Sequence, residues 1–340
     1  MKVWLSLDIN LELADVAAHA RRAEALGCDV VSIADVAHDA LLGAHAAIQA
    51  TSRVEVATSG LVCFARSPMV TAVAAWNLAA LSGGRFRLGL SSLVPQMLVG
   101  RYGVPWYPPA VRMREYLGAL RSIWRSWQDD VPLLFEGKYY RLNRQNTWTR
   151  PKPLADARIA LHLGAIGPRM STLAGECTDA LLTHPVATNR RFIAEVTQPL
   201  VREGERSAGK PAGSTALVAA PVVAAGNTLA EAESQREQRR GMLATNLSTP
   251  QYWGALDLYG WRSTGEKLRA LVREGRWDLL GSELSEEQVD AFIPTAVWDG
   301  LADELRRRFG DLVDGICLAL PVDDRDDAQL ARVIRELQQT

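Results

Sequence analysis

Three things are scarce in these 340 residues: long apolar runs, clusters of one charge sign, and paired cysteines. The longest clean apolar run, from Ala216 to Ala225, is interrupted by Pro221 and falls far short of the roughly 18 residues a membrane span needs. The opening Met1-Lys2-Val3-Trp4-Leu5-Ser6-Leu7-Asp8 is too short in its apolar part to read as a signal peptide. Lys and Arg number 38 against 39 Asp and Glu, a net charge of −1 with no basic block, which argues against nucleic acid as a partner. The four cysteines, Cys28, Cys63, Cys177 and Cys317, lie far apart without a CxxC pair. Neither a disulfide framework nor a zinc site is indicated, and a reducing, cytoplasmic compartment is expected. No GxSxG elbow appears, and no His, Cys and carboxylate set has metal-ligand spacing. Gly204-Glu205-Arg206-Ser207-Ala208-Gly209-Lys210-Pro211 nearly matches a phosphate-binding loop. Pro211 stands where a hydroxyl must hold magnesium, so the segment reads as a helix end with a Gly stop.

What is present is apolar material, 48% against 23% charged, arranged in strand-like and helix-like segments that alternate from the first residue. Strands are expected at Lys2–Leu7, Cys28–Ala34, Val54–Phe64, Arg85–Leu90, Ile159–Leu163, Ala180–Thr183, Ala216–Ala224 and Gly315–Leu320. Helices fill the intervals. Asn10 offers a cap to the first, and Ser67-Pro68 opens the third. A long helix carries Met113, Leu117, Leu120, Trp124 and Trp127 on one face. Val131–Leu134 and Tyr139–Leu142 suggest a hairpin. Eight successive βα units favour closure into a (β/α)8 barrel, of α/β class, over a doubly wound sheet, whose GxGxxG fingerprint is missing. The reading is one domain over 1–340. Insertions at about 91–149 and 228–309, hairpin and helical, roof the C-terminal face.

Candidate chemistry collects at that face. Gly164-Ala165-Ile166-Gly167-Pro168-Arg169 joins the fifth strand to a helix, and small residues before free helix N–H groups suit a phosphate. A glycine-rich turn is equally how any strand joins a helix. Thr58-Ser59-Gly60-Leu61 breaks the third strand with small residues, as a bulge or a close ligand does. Asp35 and His38 follow the second strand, and His184 ends the sixth. A loop histidine is well placed for proton transfer. His19, His45 and His162 read as packing or surface residues.

Together these segments resemble the luciferase-like flavin and deazaflavin oxidoreductases. The resemblance is carried by Thr58–Pro68, by Leu81-Ser82-Gly83-Gly84-Arg85-Phe86-Arg87-Leu88-Gly89-Leu90, by Arg101-Tyr102-Gly103-Val104-Pro105-Trp106, by Gly164–Met170 and by Asp179–Pro185. The last three look like the branch assigned to coenzyme F420. The resemblance implies a cis peptide at Ser59–Gly60 behind an isoalloxazine-type ring, with Leu61, Ser91 and Ser92 around it. It implies a phosphate on the amides of Gly164, Ala165, Ile166 and Gly167, with Arg169, Thr183 and His184 beside it. His38 is the expected general acid or base, and Asp35 its partner. Where relatives often read E-T-Q-H-D, this chain has Asp35-Val36-Ala37-His38-Asp39. Ser91-Ser92-Leu93 and Met97 stand in place of G-S-Q and a His, and Asn77 in place of Asp. Val36, Leu93 and Met97, with Trp106, are expected to line an apolar substrate pocket.

The implied activity is hydride transfer between F420 and a small organic substrate. An FMN-dependent monooxygenase is the alternative on the same fold. A diverged partner subunit without turnover is the alternative of another class. Barrels of this kind commonly pair, and the Trp-rich helix offers spare apolar surface, so a homodimer is expected.

Overall fold

The computed structural model describes residues 1–156 and 158–339. Eight strands form its centre: β1 (Lys2–Ser6), β2 (Val30–Ile33), β3 (Glu55–Thr58), β4 (Phe86–Ser91), β5 (Ala160–Ala165), β6 (Ala180–Thr183), β7 (Ala216–Ala219) and β8 (Gly315–Ala319). All pair in parallel in the order β3-β2-β1-β8-β7-β6-β5-β4, and Val56 opposite Phe86 joins β3 to β4 and closes the barrel. Strands covered on both faces read as continuous apolar runs, and β2, Val-Val-Ser-Ile, is buried throughout.

Alternation along the strands separates two cores. Val3, Leu5, Val31, Val56, Leu88, Leu161, Leu181 and Ile316 face outward into the large core shared with the helices. Trp4, Val30, Ala57, Val218 and Cys317 face inward and fill the barrel, with Leu182 and Ala220 against them. Lower in the barrel, Glu55 pairs with Arg87 at 2.7 Å and Lys2 at 3.5 Å. Above the inward layer the strands end in small residues, and there the candidate site begins.

Outer helices α1 (Val16–Leu26), α2 (Ala40–Ala50) and α3 (Pro68–Ser82) follow β1, β2 and β3. Ser67 caps α3 by accepting from the Val70 amide, as expected, and Pro68 holds its first position. Asn10 caps nothing. Asp8 accepts the Asn10 amide at 2.7 Å and shapes the turn, and a 3-10 segment at Leu13–Asp15 leads into α1. After β4 come α4 (Pro95–Tyr102) and α5 (Pro109–Gln128), and α5 packs between α3 and α6 (Pro168–Cys177) as a barrel helix. Its tryptophans are consumed there: Trp127 meets Trp76 edge-on at 5.3 Å and Trp124 donates to the Ala72 carbonyl. The Trp-rich face is therefore core, not spare surface.

The hairpin pairs Phe135–Glu136 with Arg141–Leu142, slightly beyond the expected first strand. The seventh strand stops at Ala219 before Pro221. Its continuation, Ala224–Gly226, leaves the barrel to pair with Thr295–Val297. Between those two strands a helical segment builds its own apolar cluster around Leu243, Leu256, Val289 and Phe292. The last helix of the expected insertion, Trp298–Phe309, instead packs into the barrel core. Both added stretches leave the C-terminal ends of strands.

Candidate active site

The mouth of the barrel is shaped by a bulge in β3. After Thr58 the chain steps out through Ser59–Gly60, whose peptide is cis as the resemblance implies, and rejoins the sheet at Leu61–Val62 beside Leu90–Ser91. Thr58 locks the step: its hydroxyl donates to the Gly89 carbonyl at 2.7 Å and accepts the Gly89 amide at 2.9 Å. A Cβ at Gly60 would lie 2.9 Å from the Leu90 carbonyl carbon, so bulge and β4 touch backbone to backbone. Ser59, Ser91 and Ser92 are half-buried at this rim, and Leu61 is fully buried beneath it.

Asp35 braces the bulge from the neighbouring strand. One carboxylate oxygen accepts the Val62 amide at 2.9 Å and the other the Ala40 amide at 3.2 Å, with Arg66 3.8 Å away. Arg66 also reaches Asp39 at 3.0 Å, and Asp39 caps α2 through the Leu41 amide. Asp35 thus spends its oxygens on backbone, and the structure does not bring it onto His38. The His38 Nε2 faces Glu12 at 3.6 Å, half-exposed, in a crevice of about 20 Å³ shared with Leu7, Ile9 and Ile33. Arg101 of α4 donates to the Val36 carbonyl and ties the same loop from above. Val36, Met97 and Trp106 are exposed on the elements around this rim, whereas Leu93, at φ +56°, is half-buried against the core.

Across the barrel, β5 ends in the glycine turn. A Cβ on Gly164 would lie 3.6 Å from the Leu90 carbonyl oxygen, and one on Gly167 would meet nothing within 4 Å. Gly167 is the N-cap of α6 and supplies no side-chain cap. Pro168 has no amide hydrogen, and the Met170 and Ser171 amides donate to the Gly167 carbonyl. The Gly167 and Arg169 amides are therefore left at the helix start, where the Arg169 side chain is exposed. Ile166 packs toward the helical segment above, and Ala165 is buried. Thr183 does not reach this surface: it is buried, bonded to the Thr188 hydroxyl and to the Ala220 amide at 3.0 Å, and it stitches β6 to β7.

His184 continues the inward row of β6, two residues beyond Leu182. Its Nδ1 accepts the Val186 amide at 3.4 Å, and its ring lies 4.7 Å from that of Tyr252. Burial pushes its pKa down to about 4, so at neutral pH it is an uncharged imidazole whose Nε2–H is a donor. Tyr252 carries no sequence signal that links it to β6. Arg66 adjoins the Ser67-Pro68 motif, and its charge beside two loop aspartates was the available clue.

Among the described residues no group of three or more His, Cys, Asp or Glu could hold a metal ion, and no helix is long and apolar enough to cross a membrane.

A family model described as luciferase-like monooxygenase matches residues 4–315. A protein of Mycobacterium tuberculosis, itself uncharacterized, is 33% identical over 278 residues, 81% of this chain and 82% of its own length. The F420-dependent glucose-6-phosphate dehydrogenase of Intrasporangium calvum is 31% identical over 202 residues, 55% of this chain and 58% of its own. In three dimensions the coenzyme F420 dependent tetrahydromethanopterin reductase from Methanopyrus kandleri superposes with a TM-score of 0.83 at 19% identity, covering 99% of this chain and 98% of its own.

Proposed function

Since the chain belongs to the luciferase-like monooxygenase family, we propose that its barrel mouth binds the deazaflavin coenzyme F420 and serves hydride transfer to or from a small organic substrate. The observation that supports this best is the pair of glycine segments at the strand ends: the β3 bulge, packed backbone to backbone on β4 at Gly60, and the turn Gly164–Gly167, where a Cβ on Gly167 would meet nothing within 4 Å. A flat ring needs side-chain-free backbone against its face, and a phosphate needs free amides at a helix start; the residues present suit both. When bound, such a cofactor donates or accepts the hydride, and the protein's part is positioning and proton management.

The residues divide that part among them. Ser59, Gly60, Ser91 and Ser92 hold the ring's surroundings, and the Ile166 and Gly167 amides with Arg169 take the phosphate. Asp35 acts through the backbone as a positioning residue, keeping the bulge in register with β2. His38, with Glu12 behind it, is the proton-handling side chain. FMN is the second reading, favoured by the family's monooxygenase description and by the apolar rim of Val36 and Met97, which would exclude water. Titration of the purified protein with F420 and with FMN, followed by absorbance and fluorescence, tests both. Saturable binding of F420, tighter than of FMN, is expected. Saturation by FMN alone would transfer the assignment to the second reading, and binding of neither would leave the partner-subunit reading.

The homodimer is proposed on a different face from the Trp-rich helix. Neither α2 nor α3 contains a Lys, Arg, Asp or Glu, and Leu42, Val70, Val73 and Leu81 stand exposed on them. A charge-free pair of adjacent surface helices fits burial against a second copy. Sedimentation analysis should find a dimer, and Val73→Glu should yield monomers. A monomeric wild type would refute this face as an interface.

A further inference from the structure

The helix Leu229–Leu247 follows β7 and packs on the paired strands Ala224–Gly226 and Thr295–Val297, and on the turn Pro185–Ala187 that leaves β6. It carries three arginines within five residues. Arg236 pairs with Glu233 and Glu286, and Arg240 with Glu237 and Glu286. Arg239 differs. Its Nη1 donates to the carbonyl and side chain of Gln235, one turn back on its own helix, and among the described residues no carboxylate pairs with it. Burial holds its pKa below the ordinary guanidinium value, and no neighbouring charge offsets that.

Helical spacing shows which way Arg239 faces. It shares a row with Ala232, seven residues before it, and Leu243, four after. Ala232 is fully buried, and the ideal Cβ of Gly226 would collide with its amide, so this row lies against the strand after β7. Leu243 is buried in one cluster with Val186, Ala187 and Ala224, the residues just beyond β6 and β7. Arg239 is bracketed by contacts with the chain leaving two adjacent strands, over the C-terminal end of the barrel.

Arg112 and Lys210, also drawn out of water, are spent within the chain. Arg112 donates to the Tyr140 hydroxyl and to the Pro105 and Phe64 carbonyls, under aromatic rings. Lys210 donates to the Gly175 and Thr178 carbonyls and the Thr215 hydroxyl. A guanidinium taken partly out of water without a counter-charge is costly to keep, and its planar fork suits a phosphate or carboxylate. Arg239 still has Nε and Nη2 to offer.

We propose that Arg239 is the counter-charge for an anionic group, phosphate or carboxylate, on a small molecule held in the barrel mouth. This rests on the reading of the mouth as the binding site. The anion belongs either to the cofactor, through its phosphate or acidic tail, or to an acidic substrate.

Wild type, Arg239→Gln and Arg239→Lys are compared in two measurements. Dissociation constants are taken for F420 and FMN and for their phosphate-free counterparts, deazariboflavin and riboflavin. The Arg239 Nε–H resonance is followed by NMR as inorganic phosphate or acetate is added. An anion from the cofactor predicts about tenfold or greater loss of affinity for F420 or FMN in Arg239→Gln, partial recovery in Arg239→Lys, and unchanged phosphate-free binding. An acidic substrate predicts unchanged cofactor constants and a saturable shift of the Nε–H resonance with phosphate or acetate. Unchanged constants together with an unmoved resonance would overturn the proposal. If neither cofactor binds even the wild type, the oxidoreductase reading fails, and the phosphate and acetate titrations still decide on Arg239.

Discussion

Gly89→Ala is expected to cost the fold at least about 3 kcal/mol, enough that little native protein survives purification. An added Cβ would stand 1.9 Å from the Thr58 carbonyl oxygen, a backbone atom that no rotamer change can move. Relief requires β3 to separate from β4. The Thr58 hydroxyl bonds to both the amide and the carbonyl of Gly89 would then break inside a buried layer. The loss should be seen as a lowered denaturation midpoint, or as absence from the soluble fraction. Gly100 is the control. It lies within α4 with nothing within 4 Å of its ideal Cβ, so Gly100→Ala should be neutral or stabilising by roughly 0.5–1 kcal/mol. Wild-type stability in Gly89→Ala would show that the bulge does not press on β4.

The second large effect is an acid instability centred on His162. This residue is buried inside the barrel with its ring 5.2 Å from Trp4, and its Nδ1 has no hydrogen-bond partner among the described residues. Burial, reinforced by the Arg87 charge, pushes its pKa down to about 4, while Asp179 and Glu55 oppose that shift and Lys2 adds to it. The folded value lies below the ~6.5 of an unfolded histidine, so between those two pH values the unfolded chain binds a proton that the folded chain does not. Stability is therefore complete above about pH 6.5 and falls as pH drops through that window, by up to ~3 kcal/mol from this one group. His184, also pushed down to about 4 by burial, adds in the same direction. His162→Phe keeps a ring against Trp4 and removes the titration. Its denaturation midpoint should exceed that of the wild type at pH 5 and depend less on pH between 6.5 and 4. Parallel pH profiles for the two proteins would refute the assignment.

Much of the barrel could be read from the chain because its strands are covered on both faces. Val30–Ile33 and Phe86–Ser91 announce themselves as apolar runs between helix ends and glycines. The bulge is legible for a related reason: Ser59-Gly60 is too small for the strand it interrupts, whereas the close approach of Gly89 to Thr58 is shown only by the fold. What stayed hidden depends on partners distant in sequence. Asp35 looks like a catalytic carboxylate after β2, and only the fold shows that it serves the amide of Val62, 27 residues on. Thr183 looks like a phosphate ligand, but alternation along β6 turns its hydroxyl outward to Thr188 and Ala220. The bounds of the added stretches are hard to read from the sequence, because α5 and Trp298–Phe309 are amphipathic like any barrel helix. Arg239 has no sequence signature at all, since the absence of a neighbouring carboxylate is a property of packing. His184 stands at the end of the sixth strand in the sequence itself, whereas the ring of Tyr252 against it has no sequence signal.

On the proposed reading a ring-bearing cofactor lies between the Gly60 bulge and the Gly164–Gly167 turn. The direct measurement is the map of backbone amide shifts when F420, or FMN, is added to isotope-labelled protein. The largest changes are predicted at Gly60, Ser91, Ser92, Ile166 and Gly167. Changes centred instead on the opposite end of the barrel, around Lys2, Arg87 and Asp179, or no change with either cofactor, would contradict it.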